Sequence, residues 1–549
     1  MEQVRVLLAI VLSLVVFLLW DYFFNTQQFV EQPGPDKKIQ EEQDRVLPYV
    51  NTKKALIADS LPAPQNVYKP EPFRTILVTT PLYSVGISEK GAVFEKFELK
   101  KYKETVEKDS PFLGMISPEA KNRNIRTGLT EKSVAGLENA IFKARDTDQN
   151  VEIDEVPRRI SFLWSSPDGV EIEKNYTFYP DTYMIELDIA VKNGSGKIIR
   201  DNLFVSVSKY FHEEGGAYGF QGPCALINNE LEQIKIKDIE DKNVYSGKIG
   251  WLAVQDRYFL SGIIPVKKEQ AKIRLFLSED EVVENQYMQP LNLEYGTQQT
   301  FSYNIFFGPK SLEILGKAGH DLNKAVDFGW FDFIAKPCVW LMNWFYKYIP
   351  NYGLAIIFLT LLTKIITWPL GNKSYKSMSE MKKIQPLVTR LREQYKDDKK
   401  KMNQETMALY KTYKVNPMGG CLPMILQIPI FFALYRMLYE AIELRHAHFF
   451  GWINDLSAPD RLFNFGFSIP FMEPPYGIPV LTVIMGGTMF LQQKMAPPMG
   501  DPAQAKMMML MPIIFTVIFI NFSSGLVLYW LINNVLSIAQ QHYVTKKQA

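Results

Sequence analysis

The apolar positions of this chain fall into three regimes. Residues 6–20, "VLLAIVLSLVVFLLW", form one apolar run that Tyr22, Phe23 and Phe24 extend. From about Arg74 apolar residues recur at every second position: Tyr83, Val85 and Ile87; Ile172, Tyr176 and Phe178 with Lys174 in phase; Ile185, Leu187, Ile189 and Val191; Phe301, Tyr303, Ile305 and Phe307. A period of two marks strands with one buried face, and turn residues such as Glu89-Lys90-Gly91 and Asn193-Gly194 punctuate them. The pattern predicts an antiparallel β-sandwich over 74–308. After Gly308-Pro309 the period lengthens toward helix, and long apolar stretches return near 351–370, 421–439, 477–493, 507–523 and 525–541. With the N-terminal run they predict six transmembrane helices.

Bulky aromatics close the first run where a cleavable signal peptide would end in small residues, so 1–25 reads as an uncleaved anchor. Residues 26–73, rich in Pro, Gln and charge, read as a flexible tether. The segment 309–350 is dense in aromatics, with Trp330, Trp340 and Trp344 beside Lys336 and Lys347. It suits helices in the membrane interface, the competing reading being a buried aromatic core helix. The remainder, 351–549, is a five-helix core that includes a helical hairpin at 371–420. One arm of the hairpin carries the stripe Met378, Met381, Gln385, Val388 and Leu391, the other Met402, Leu409 and Tyr413, with "KDDK" at the turn.

Charge sets the orientation. Arg5 precedes the anchor, the hairpin carries twelve basic against five acidic residues, and "VTKKQA" closes the chain, whereas 440–477 is net acidic. The positive-inside rule then places both termini and the hairpin in the cytoplasm and sends the sandwich to the opposite, outer side of the membrane. The basic face of the hairpin is either a solvated surface that enforces topology or a contact for anionic headgroups or ribosomal RNA.

Composition narrows the chemistry. A net charge of +2 gives no global basicity for nucleic acid. Cys224, Cys338 and Cys421 fit no metal-ligand spacing and read as structural and reduced. His212 and His320 of the sandwich lie in no catalytic or metal motif, and no phosphate-binding Gly-Lys motif occurs. No carboxylate falls within the cores of spans two to six, which argues against a proton-coupled transporter. No histidine serves Ser523 or Ser524 as a base, so an intramembrane serine protease is excluded. Neither enzyme nor cofactor is expected.

Polar groups inside the spans remain. Lys364 lies in "LTLLTKIITWPL", where a membrane helix tolerates a cation only at a cost of roughly 2.5 to 3.5 kcal/mol. Snorkelling toward the headgroups is one reading. Gln427, Arg436, Asn533, Asn534 and Ser537 on other spans, with Thr360, Thr363 and Thr367 on its own, favour a shared hydrated cavity. The methionines of spans four and five, Met485, Met489, Met507, Met508, Met509 and Met511, either fill the core or form an adaptable apolar surface.

The stretches "MALYKTYKVNPMGGCLPMILQIPIFFALYRML", "FFGWINDLSAPD", "GGTMFLQQKMAP" and "SSGLVLYWLINN" resemble the bacterial YidC membrane-protein insertases, in their Gram-negative form. The resemblance covers nearly the whole chain. It implies a cytoplasm-facing groove in the bacterial inner membrane, open to lipid, in which a cation of the second span attracts the polar tail of a nascent membrane protein. That cation is Lys364, where the family usually has arginine. Thr360, Gln427 and Asn533 would line the groove, with Ile428, Pro429, Phe431, Tyr529 and Trp530 as substrate contacts. The implied partners are nascent membrane proteins, the Sec translocon, the lipid bilayer, and the ribosome and signal-recognition receptor through the cytoplasmic loops. "FSSG" has Ser523 where the family often has proline, and the tail after Tyr543 is short. An assembly chaperone without insertion activity of its own is the alternative function, and a solute channel a third.

Overall fold

A computed structural model describes residues 73–548 apart from 122–123, 146–147, 212–218, 397, 414, 416–421 and 496–501. The anchor 1–25, the tether up to residue 72, His212 and Cys421 therefore lie outside the described residues.

The alternating region folds as two sheets. The smaller is ordered Phe112–Gly114, Val93–Lys103, Tyr83–Ser88, Thr75–Thr79, Asn150–Glu152, and its last pair is parallel. The larger runs from Arg126–Leu129 through Ile199–Tyr210, Val282–Leu293, Gln270–Leu277, Val244–Gln255, Phe259–Pro265, Gln298–Pro309, Met184–Asn193, Val170–Phe178 and Arg158–Ser165 to Lys143–Ala144. Its pairings are antiparallel, as the turns predict. Strand Gln270–Leu277 alternates buried and exposed residues along most of its length, while Phe259–Pro265 is buried at every position and so on both faces. Aromatic rings join the sheets: Phe97 stacks 5.0 Å from Phe307, and Phe94 lies 5.4 Å from Tyr176.

Lys174 follows the phase of its strand and is wholly buried, its ammonium 5.3 Å from the centre of the Phe142 ring. Its Nζ donates to Gly91 O at 2.8 Å and reaches Ala92 O and Ile125 O at 3.4 Å. Burial, with the nearby Arg126 cation, pushes this amine down to about 7. Cys224 and Cys338 are buried free thiols.

Eight helices follow among the described residues. Helix α1 (Leu312–Ala318) leads to α2 (Asp332–Tyr348). Helix α2 is two-faced: Ala335, Cys338, Val339 and Met342 are buried, while Phe333, Trp340, Trp344 and Tyr348 are exposed. Phe331 and Phe345, by contrast, pack against the core, stacked on Phe432 and Phe358. Helix α3 (Tyr352–Gln394) is capped by Asn351, whose side chain accepts from Leu354 N at 3.0 Å. Its 43 residues continue past 370 through Pro369 and Pro386, so one continuous helix of about 65 Å covers both the expected second span and the expected first hairpin arm. Helix α4 (Lys399–Thr412) is capped by Asp398, which accepts from Lys401 N. Helices α5 (Leu422–Glu440), α6 (Val480–Met495), α7 (Pro502–Phe519) and α8 (Ser524–Gln548) occupy the remaining apolar segments. Helix α8 packs against both α3 and α6.

The sandwich and the helices meet through buried polar groups. Arg257 Nε donates to Tyr439 O at 2.7 Å, and its guanidinium lies 3.6 Å from the centre of the Tyr439 ring. Glu440 faces Arg436 at 3.2 Å and the equally buried Lys310 at 4.0 Å. Ser311, at the N-cap of α1, gives its hydroxyl to Glu443 at 3.0 Å instead of to its own helix. Beyond α5, Asp460 accepts from Leu481 N at the start of α6 and from Trp452 Nε1, which pins the 441–479 connection.

Candidate functional site

Helices α3 and α8 carry the candidate site between them. On α3 the hydroxyls of Thr360, Thr363 and Thr367 bond back to carbonyls of their own helix, those of Ile356, Thr360 and Thr363. They thus satisfy themselves locally and make no bond to another helix among the described residues. Lys364 does cross over: its Nζ donates to Ser537 Oγ at 2.7 Å, and Ser537 in turn donates to Asn533 O at 2.7 Å. One turn further along, Gln540 Nε2 donates to Trp368 O and to Asn372 Oδ1, both at 2.9 Å. Positions 364, 368 and 372 share one face of α3 by their spacing of four, and Ser537 and Gln540 answer them from α8. Tyr375, about three turns beyond Lys364, reaches the same Ser537 and also Gln492 of α6.

Lys364 is only 5% exposed. An ammonium has three N–H donors, and Ser537 is its one hydrogen-bond acceptor among the described residues. No ion pair to Lys364 occurs among them either. A charge so placed carries a desolvation cost of several kcal/mol unless further acceptors reach it. The arrangement therefore favours any oxygen-rich group, water or carboxylate, that approaches the ammonium.

The other expected residues are distributed unevenly. Thr360 is fully buried and its hydroxyl is spent on Ile356 O. Asn533 joins the Lys364 chain through its backbone carbonyl rather than its amide. Gln427, half-buried on α5, has no hydrogen bond to Lys364 or Ser537 among the described residues. Of the apolar set, Ile428 is 45% exposed, Pro429 and Phe431 are half-buried, and Tyr529 is enclosed. Phe431 meets Trp530 edge to face at 5.0 Å, and Trp530 meets Phe519 at 5.2 Å. These rings form one aromatic cluster joining α5, α7 and α8.

Sequence reasoning missed Gln540 and Tyr375 and left Ser537 as a general polar interruption. The signal was the spacing of Asn533, Ser537 and Gln540, which puts three polar residues on one stripe of an apolar helix. It identifies a polar face without saying which helix it meets.

The C-terminal part, residues 344–549, matches the family model described as 60Kd inner membrane protein, and residues 75–341 match the YidC periplasmic domain. Among curated proteins, the membrane protein insertase YidC of Syntrophobacter fumaroxidans is 42% identical, with 99% of each chain covered. That of Syntrophus aciditrophicus is 39% identical, again with 99% of each chain covered. Among solved structures, an active YidC insertase crystal structure with its first transmembrane domain resolved is 20% identical, covering 86% of this chain and 94% of that one, with a TM-score of 0.38.

Proposed function

This chain belongs to the YidC family of membrane protein insertases, and from that premise we propose how its own residues perform insertion. It is an inner-membrane protein with a large periplasmic domain, and its work is to bring nascent proteins into the bilayer. Our reading of its topology is six spans with both termini cytoplasmic, supported by the basic balance of 371–420 and the acidic balance of 440–477. Helix α3, far longer than a bilayer core of about 30 Å, then extends into the cytoplasm and with α4 forms the basic hairpin.

The observation that carries the mechanism is the bond from Lys364 to Ser537, beyond which the ammonium has no protein acceptor among the described residues. An acidic or polar substrate tail supplies acceptors, so the cation lowers the cost of drawing that tail between α3 and α8. Thr360, Gln427 and Asn533 border the path, with Ile428, Pro429, Phe431, Tyr529 and Trp530 as its apolar side. Burial of the substrate's apolar span in lipid, worth roughly 25 cal/mol per Å², then drives release without nucleotide hydrolysis. The hairpin is our candidate contact for the ribosome and signal-recognition receptor. The Sec translocon, as a partner, receives or hands on substrates with several spans.

The test uses proteoliposomes containing only this protein and a ribosome-synthesised single-span substrate with a short acidic tail. Protease protection of the tail above that in empty liposomes is the expected result. Equal protection would overturn autonomous insertion and leave assembly or chaperoning as the role. Topology is read separately, by labelling a Lys132→Cys variant in a cysteine-free background with a membrane-impermeant thiol reagent from the periplasmic side.

A further inference from the structure

A cavity of about 730 Å³ opens between the end of the Val93–Lys103 strand, the C-terminal turn of α2, the first turn of α3 and residues 442–446. Its size falls within the roughly 300–1,000 Å³ of small-ligand sites. Its wall is basic: Lys100, Lys101, Lys103, Lys347 and Arg445 all contribute. Three of these are held in place by backbone oxygens, Lys100 on Thr80 O at 2.9 Å, Arg445 on Lys103 O at 2.8 Å and Lys103 on Lys108 O. Lys101 and Lys347 form no ion pair among the described residues and are exposed.

Two carboxylates share the wall without cancelling this charge. Glu313 is paired with Lys317 at 2.8 Å. Glu443 is occupied by Ser311 and Asn343, from which it accepts, and its burial raises its carboxyl above the ordinary range. Tyr346 and Tyr352, stacked 3.9 Å apart, form an aromatic side to the cavity.

We propose that this cavity binds the phosphodiester headgroup of an anionic lipid from the outer leaflet of the membrane. The chemistry is that of lysine and arginine donors around a phosphate anion. The source follows from position: the cavity sits at the end of α2, where exposed Trp344 and Tyr348 flank Lys347, and at the start of the α3 span. Such rings lie at headgroup depth, and acyl chains leaving the cavity would run down that aromatic face. A bound lipid thereby bridges the sandwich and the helical core at their junction. The inference rests on the topology proposed above, but binding to purified protein does not depend on orientation in the cell and fails or succeeds independently of it.

The test is native mass spectrometry of the full chain in detergent, supplied with equal phosphatidylglycerol and phosphatidylethanolamine. Preferential retention of phosphatidylglycerol is expected, and Lys101→Gln with Lys347→Gln should reduce it about tenfold, the worth of roughly 1.4 kcal/mol. The paired Lys101→Arg and Lys347→Arg variant should retain it, as should Lys248→Gln with Lys272→Gln outside the cavity. Equal retention of the two lipids, or full retention by the double glutamine variant, overturns the site. Inorganic phosphate that binds alone and displaces the lipid overturns the lipid assignment in favour of a soluble anion.

Discussion

Lys364 Nζ and Ser537 Oγ lie 2.7 Å apart, a charge-assisted hydrogen bond between the first and last helices of the core, α3 and α8. The serine is also anchored to Asn533 O, so the ammonium is held at a defined place rather than swinging freely toward lipid. If the cation acts on substrate, charge should matter more than this anchor. Lys364→Arg should keep insertion of an acidic-tailed substrate, and Lys364→Glu should lose it most severely. Ser537→Ala should retain most activity while lowering stability by about 1–3 kcal/mol for the orphaned donor. The proteoliposome assay and thermal unfolding of the full chain measure the two effects; equal activity of the glutamate variant would remove the electrostatic step.

Gly371 offers a check on the same helix pair. A Cβ built there would lie 2.7 Å from Gln540 Nε2, which is already committed to Trp368 O and Asn372 Oδ1. Gly371→Ala should therefore destabilise the α3–α8 contact by about 1–3 kcal/mol, because the amide cannot retreat without giving up its bonds. Gln540→Ala in the same chain should recover part of that loss. Absence of any recovery in the melting temperature would mean that the strain arises elsewhere.

The junction between sandwich and helices predicts a local effect. Arg257 combines a hydrogen bond to Tyr439 O with a close approach to its ring. Arg257→Ala should cost about 1.5–3 kcal/mol of local stability, and Arg257→Lys should restore only part because an ammonium lacks the planar fork. Hydrogen exchange across 436–446 should accelerate in the alanine variant, while exchange in the strand Val170–Phe178 should stay as it was.

Lys174 gives the sandwich a pH dependence. Its folded-state pKa of about 7 lies below the unfolded value, so between these the unfolded chain binds the additional proton. Its contribution to stability consequently rises with pH from about 7 toward 10 and penalises the fold below 7, with a slope of at most about 1.4 kcal/mol per pH unit. Lys174→Met should flatten that slope. Denaturation of the sandwich within the full chain, followed at several pH values, would contradict this account if variant and parent rose in parallel.

The alternation of Ile172, Lys174, Tyr176 and Phe178 was enough to place a lysine on the inner face of a strand, because side-chain direction in a strand has a period of two. The same local logic identified the sandwich, the C-terminal apolar helices and Lys364 as an anomalous cation. Long ordered motifs identified the family. What local pattern left open was every relation between distant segments. That Ser537, and neither Thr360 nor Gln427, meets Lys364 depends on how α8 is rotated against α3, 173 positions away along the chain. That the helix continues past Pro369 depends on packing along its length, since proline alone disfavours continuation. The basic cavity combines residues from 100 to 446, none of which is unusual where it stands in sequence. Periodicity and composition are properties of neighbours along the chain and were readable from it; partners, burial of charge and the shape of a cavity arise only when remote elements are brought together in three dimensions.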